Sequence, residues 1–383
     1  MADPTGANLG AHFANLEDPR IDRTKLHRLN DIMVIAICGV ICGAGTWNDI
    51  EEWGKTKEVW LRGFLELPNG IPSHDTFRRV FCLLDPQQFQ ACFVSWIQAA
   101  YTVTQGQVIA IDGKTLRRSH DRTAGKAAIH MISAWAEANR VVLAQTKVDD
   151  KSNEITAVPQ LLEVLELAGC IVTLDALGCQ KEFTSAICAK GADYVLAVKE
   201  NQGHLYEDVK ELFDTEFEQA IPFEGVAHDH CQTVNKDHGR IEIRQCWTIS
   251  DPEFLNYIRN RDDWEGLCTI GVVRAERRCA DTRTVEHRYY ISSLPGDASL
   301  LLHATRSHWG IENSVHWVLD VVFREDESRM RKDNSPQNFA ILRHIALNLI
   351  RQEHTSKRSV KGKRLKAAWS DDYLQAVLTG LLN

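Results

Sequence analysis

Apolar and polar positions change their period several times along the chain. From Asn30 to about Ala100 the spacing is helical, and Leu29 to Cys42 is apolar on nearly all sides, which predicts a buried helix at the centre of a small bundle. Gly43-Ala44-Gly45 ends it and Trp47 starts the next. Pro72-Ser73-His74-Asp75 opens a further helix with Ser73 as N-cap, and Phe77, Val80, Phe81 and Leu84 fall on one buried face. His74, Arg78 and Arg79 are left on the outer face, where a basic helix can meet a groove of DNA.

After Gly106 the period becomes that of strands: Val108–Asp112, Ile129–Trp135 and Val141–Val148, with turns at Gly125 and Asn139-Arg140. An amphipathic stretch Ala157–Leu167, a strand Cys170–Asp175, a helix around Glu182–Ala189 and a strand Tyr194–Val198 follow. Three strands and then alternating helix and strand predict an α/β fold with a mixed sheet, in the order expected of a ribonuclease-H-like core. Between about Asp214 and Pro295, short alternating runs such as Ile241-Glu242-Ile243-Arg244 and Thr269–Val273 predict an antiparallel β insertion. Helical spacing resumes at Ala298 and carries Glu312. Ser335-Pro336 then reads as N-cap and N1 of a helix to about Arg351, with Phe339, Leu342, Ile345, Ala346 and Leu349 as its buried stripe. These shifts divide the chain into a small helical DNA-binding unit (1–100), the core (101–213 and 297–351), the β insertion (214–296) and a basic tail (352–383), in which His354–Gly362 reads as a loose linker.

With 383 residues, 44% of them hydrophobic, the chain is long enough for two or three domains, or one domain with a large insertion, and can fill their cores. Its eleven cysteines show no Cys-x-x-Cys pair, which favours free thiols in a reducing cytoplasm over disulfides or a zinc site. The first residues lack the basic and apolar regions of a secretory signal. The longest apolar stretch, Ile32 to Ala44, falls short of the about 20 residues that span a bilayer. A cytoplasmic protein with no membrane partner is expected. The net charge of −8 argues against a nucleic-acid binder only on average, because Lys and Arg cluster at Arg20–Arg28, Lys114–Arg118, Arg324–Lys332 and Lys357–Lys366.

Three acids stand where packing does not ask for them. Asp112 ends the run Val-Ile-Ala-Ile, and Asp175 ends Cys-Ile-Val-Thr-Leu, so both are carboxylates at the tips of buried strands; Glu312 lies among Trp309, Ile311 and Val315. A buried carboxylate must be paired or metal-bound. Converging carboxylates are what magnesium requires, and two such ions about 4 Å apart can activate an attacking oxygen and stabilise a leaving one. Spacing alone does not choose Glu312 over Asp320 or the following acids, although Glu325-Asp326-Glu327 reads as a solvated turn. Lys114, Arg117 and Arg118 follow the first acid, and Lys199, Asn201 and Gln202 follow the last core strand, at places suited to phosphate contact. The basic run Lys357–Lys366 suggests the same. Trp247 and Trp264 are candidates for stacking on a flipped base, whereas His316 and Trp317 read as packing residues.

Ile111-Asp112-Gly113-Lys114, Leu174–Gln180, Gly191–Gln202 and Arg306-Ser307-His308-Trp309-Gly310-Ile311-Glu312-Asn313 resemble the H-repeat-associated insertion-sequence transposases, a branch of the bacterial DDE superfamily, and Leu26–Trp96 resembles that family's associated amino-terminal domain. The resemblance implies a ribonuclease-H-like core with a β insertion between the second and third acids. It implies Asp112, Asp175 and Glu312 as catalytic acids holding two Mg2+ ions, replaceable by Mn2+. Its partners would be double-stranded DNA, both the terminal inverted repeats and the target, bound by a homodimer. His238 and Arg240, in a hairpin turn, and Arg306 and His308, before the third acid, would face that DNA. Many relatives place tyrosine, arginine and lysine where this chain has Thr305, His308 and Leu319, so their phosphate contacts do not transfer. Two other readings are a ribonuclease-H-like structure-specific nuclease that cuts without joining, and a domesticated or inactive copy that binds DNA without cutting it.

Overall fold

The computed structural model describes residues 9–101, 105–120, 127–148, 154–237, 239–279 and 282–379. Helices α1 (Leu9–Phe13), α2 (Leu29–Cys42), α3 (Trp47–Thr56), α4 (Glu58–Leu61), α5 (His74–Leu83) and α6 (Pro86–Ala100) precede the first strand. α2 is buried nearly all round, as its uninterrupted apolar run demands, and ends at Gly43 with φ +117°. Thr46 and Asp49 form a capping box on α3, and the Ser73 hydroxyl accepts from Thr76 N–H at the start of α5.

A nine-stranded sheet follows, in the order β3-β2-β1-β4-β5-β9-β8-β7-β6. Its strands are β1 (Val108–Leu116), β2 (Ile129–Ala136), β3 (Val141–Val148), β4 (Ile171–Leu174), β5 (Asp193–Val198), β6 (His228–Asp237), β7 (Arg240–Ile249), β8 (Thr269–Cys279) and β9 (Thr282–Ser292). β1, β4 and β5 are parallel, joined by α7 (Glu154–Val164) and α8 (Lys181–Ala189); the remaining pairings are antiparallel. α9 (Gly203–Glu218) and α10 (Pro252–Leu255) lie in the connections beyond β5. The antiparallel strands after Asp214 are continuous with the core sheet, because β9 pairs with β5 from Val195↔Ser292 to Val198↔Tyr289.

β1 runs four residues past the end read from the sequence. Its pairing with β2 continues to Leu116↔Ile129, whereas its pairing with β4 stops at Ile111↔Leu174. Beyond that point the sheet is open between β1 and β4, the crevice at the carboxyl ends of parallel strands where α/β sheets place their ligands.

α11 (Ala298–Ile311), a π-helical segment Glu312–His316 and α12 (Trp317–Val321) return across the sheet. α13 (Ser335–Gln352) then packs between the amino-terminal helices and the β2–β3 edge. Its N-cap is Asn334, one residue before the expected Ser335. The stripe of apolar residues read from the sequence understates its burial, since nearly every residue from Ser335 to Ile350 is buried. Polar residues survive there by pairing with backbone: Asn338 donates to the carbonyls of Phe81 and Leu84, and the Asn348 amide both donates to and accepts from Val142 of β3.

The segment after Gln352 does not form a loose basic tail. α14 (Val360–Trp369) and α15 (Asp371–Thr379) pack on α2 and α13, with Lys363 and Arg364 each 8% exposed. The Arg364 guanidinium donates to the carbonyls of Val40 and Ile41 at the end of α2, and Lys363 donates to Ile350 O. These two cations cap helix carbonyls, so they are unavailable for the phosphate contact expected of them. Among the described residues no single helix is long and apolar enough to cross a membrane.

Candidate functional site

Asp112 and Asp175 are set by register. The parallel pairs end at Ile111↔Leu174, so the next residues on the two strands are these two aspartates, neighbours across strands ~4.8 Å apart. Apolar residues on both strands hold them in place: Ile109, Ala110, Ile111, Val172 and Leu174 are at most 4% exposed. α11 crosses this face, where Thr173 Oγ1 lies 3.0 Å from His308 Nδ1. The helix then widens into the π segment, a device that re-aims side chains and is frequent at functional sites.

In that wider turn Glu312 and His316 both face Asp112. His316 Nδ1 lies 3.0 Å from Glu312 Oε2 and 3.4 Å from Asp112 Oδ2. Ligand atoms of these three residues lie within 4.8 Å of one another. Asp175 lines the same cavity of about 330 Å³, together with Lys199, Glu286, Arg288 and Trp309. Its Oδ1 accepts from the N–H groups of Leu177 and Gly178, which fixes the carboxylate at the mouth of the turn. Asn201 and Gln202 brace that turn, donating to Ala176 O at 2.7 Å and Cys179 O at 2.8 Å.

Several expectations are corrected by this placement. Lys114 does not face phosphate: its ammonium is 2.6 Å from both Asp320 Oδ1 and Glu325 Oε2, with the side chain 11% exposed. Glu325 is not in a solvated turn; it is 4% exposed and also meets Arg343 Nη1 at 3.3 Å. Burial would raise its carboxyl, but Lys114 and Arg343 outweigh that and hold it at about 2. Asn201 and Gln202 are committed to the turn, and Thr305 and Leu319 are buried. Trp264 is 3% exposed, which removes it as a stacking residue, and Trp247 is half-buried and packs against Phe217 with ring centroids 5.0 Å apart.

The remaining candidates are scattered. His74 Nδ1 lies 2.6 Å from Glu51 Oε2, and Arg78 donates to Asp75, leaving Arg79 exposed on α5. Arg117 and Arg118 are exposed, Arg117 with Nε 3.2 Å from Asp326. Arg240 pairs with Glu242 and shares a groove with Arg306 beside the acids. His238 lies outside the described residues. His316 is the residue that the sequence reading missed; its i,i+4 spacing from Glu312 on an apolar helix looked like packing.

Burial also sets a pH dependence. It pushes His308 down to about 4 and His344, 3% exposed, down to about 3. In the unfolded chain both titrate near about 6.5, so between that value and the depressed ones the unfolded chain binds protons that the folded one does not. Stability is therefore full above pH ~6.5 and declines as pH falls, by up to about 1.4 kcal/mol per pH unit for each histidine. Urea denaturation at pH 7, 6, 5 and 4 should show this slope, and His344→Leu should flatten it; an unchanged slope in that variant would rule His344 out as a source.

The family described as "Transposase DDE domain" matches residues 104–349, and one described as "DDE_Tnp_1-associated" matches residues 10–97. "Putative transposase YncI" of Escherichia coli O157:H7 is 42% identical over 372 residues, covering 96% of this chain and 93% of the relative. "H repeat-associated putative transposase YhhI" of Escherichia coli (strain K12) is 39% identical over 375 residues, covering 96% and 97%. The piggyBac transposase synaptic complex with hairpin DNA aligns over 99% of this chain and 76% of that one, with a TM-score of 0.42 and 11% identity.

Proposed function

The chain belongs to the transposase DDE domain family, and from that premise we propose that it cuts DNA at the ends of an insertion sequence and joins the freed ends to target DNA. The observation that carries this reading is the convergence of Asp112, Asp175 and Glu312 on one open crevice, from the point where β1 parts from β4, from the end of β4 and from a returning helix. The order of three antiparallel strands and two parallel ones supports a ribonuclease-H-like core, against which α2, α5 and α6 pack through α13.

The donor set fits hard divalent ions. Carboxylates predominate, and like charges packed this closely favour a cation among them. Asp112 with Asp175, and Asp112 with Glu312, would hold two Mg2+ ions or Mn2+ in their place. Bound there, the ions would neutralise the phosphodiester and activate the attacking oxygen. The protein's own part is positioning. Asp175 is fixed by its turn, Glu312 by His316, and His308 by Thr173, so little reorganisation remains when DNA arrives.

Lys199 and Arg288 line the cavity that holds the acids, and Arg240 and Arg306 line the adjoining groove, so these are the basic groups placed to meet the DNA backbone there. Joining two ends calls for two copies of the chain on DNA. The decisive assay supplies pre-cut ends with a 3′-hydroxyl and a supercoiled target plasmid. Joined products are expected; cutting of intact ends with no joining would favour the structure-specific nuclease, and binding with neither would favour an inactive copy.

A further inference from the structure

The largest cleft among those described lies away from the acids, between the β2–β3 turn, the end of α13 and the chain leading into α14. It encloses about 900 Å³ and is lined by Arg140, Arg351, His354, Lys357, Arg358 and Lys363, with no carboxylate-bearing residue in its wall among the described residues. That is unusual for a chain of net charge −8.

The contrast with the groove beside the acids decides how to read it. There Arg240, Arg244 and Arg277 are each paired with Glu242, and Arg288 with Glu286, so most of the positive charge is spent internally. In the cleft, Lys363 is tied to helix carbonyls and Glu353. Arg140, Lys357 and Arg358 are exposed, and among the described residues none of them meets a carboxylate within ion-pair distance. Arg351 forms the floor: its guanidinium lies 4.6 Å over the Trp135 ring and donates to Ser314 O, while Nη1 is buried without a partner among the described residues. Burial and the neighbouring Arg140 push it down to about 9, so it stays charged at neutral pH.

The cleft is also connected to the chemistry. Asn313, next to Glu312, lines both this cleft and the groove beside the acids, and Ser314 joins it in the cleft wall. Unpaired cations along one channel are the footprint of a phosphate backbone, whose polyanion binds by releasing counterions.

We propose that this cleft is a second DNA-contacting site, which grips the sugar-phosphate backbone of duplex flanking the phosphodiester at the acids. It rests on the transposase reading above, since that supplies the DNA. Arg140, Lys357 and Arg358 make the phosphate contacts, and Arg351 supplies a fixed positive field beneath them. Such contacts carry no base information, so a random-sequence duplex suffices as probe.

The test is the salt dependence of binding of the full chain to a labelled random-sequence duplex of about forty base pairs, enough to extend past one contact site. Each lost phosphate contact flattens the plot of log K against log salt by about 0.9. Arg140→Gln/Lys357→Gln/Arg358→Gln should therefore lower the slope by about two to three and weaken binding roughly 10- to 100-fold at 0.1 M salt. Lys357→Gln alone should lower it by about one, which guards against a folding defect in the triple variant. Wild-type binding with an unchanged slope and affinity in both variants would overturn the cleft while leaving the transposase reading intact. Failure of the wild type to bind duplex at all would overturn both.

Discussion

Asp112→Asn and Glu312→Gln should each lower DNA cleavage by at least about 10³-fold, roughly 4 kcal/mol of lost transition-state stabilisation, while leaving the fold intact. Both substitutions keep the shape of the side chain while removing its charge and turning one acceptor oxygen into a donor. Asp112 pairs with Ser133 in the β1–β2 register through its backbone, which the change does not touch. Removing one negative charge from a cluster of like charges should also hold or slightly raise the unfolding temperature. A structural acid would behave oppositely, since losing its charge would leave His316 without its partner and lower stability. Asp175→Asn should match them in activity, although its Oδ1 also caps a turn. Thermal melts alongside cleavage rates separate the two roles, and retained cleavage in Glu312→Gln would move the third acid to Asp320 or beyond.

Lys114→Met should cost roughly 3–5 kcal/mol of stability, the range for stripping one partner from a buried charge pair. Its ammonium is shared by Asp320 and Glu325, and Glu325 has a side chain 2% exposed whose remaining partner, Arg343, is itself buried. Glu325→Gln should be costly for the complementary reason, leaving Lys114 and Arg343 short of a counter-charge. Because the groups share one network, Lys114→Met/Glu325→Leu should cost less than the sum of the single changes. The network ties β1, two residues past Asp112, to the segment after α12, so its loss should also loosen Glu312 against Asp112. Urea denaturation measures the cost directly; a loss below about 1 kcal/mol for Lys114→Met would mean that the pair is solvent-screened, as surface pairs are.

The two aspartates stood out because each closes a run of buried strand residues; Asp175 does follow the end of β4, whereas β1 continues four residues past Asp112, whose exposure comes from the end of its pairing with β4. Their adjacency was legible only in part. It depends on β1 and β4 pairing in one register across the hairpin β2–β3 and the crossover α7, a long-range fact that local spacing does not encode. Glu312 needed the family resemblance, because its neighbours in sequence are also acidic. His316 was hidden by the π segment, which changes which residues share a face without leaving a mark in the hydrophobic period. Glu325 and Lys114 were misread for a common reason: each looked solvated within its own segment, and their partnership spans 211 residues. Lys363 and Arg364 likewise looked like part of a free basic run until α14 was packed against α2 and α13.

The central claim is that Asp112 in β1, where its pairing with β4 stops, Asp175 after β4 and Glu312 after α11 form a divalent-ion-dependent centre that cuts DNA. The most direct measurement follows a labelled duplex, carrying the inverted repeats that flank this gene, with the wild-type chain in Mg2+, in Ca2+ and in EDTA. Cleavage at the repeat boundary in Mg2+, none in EDTA, and a retained gel shift in Ca2+ is the predicted result. Equal cleavage in EDTA and in Mg2+ would contradict the account.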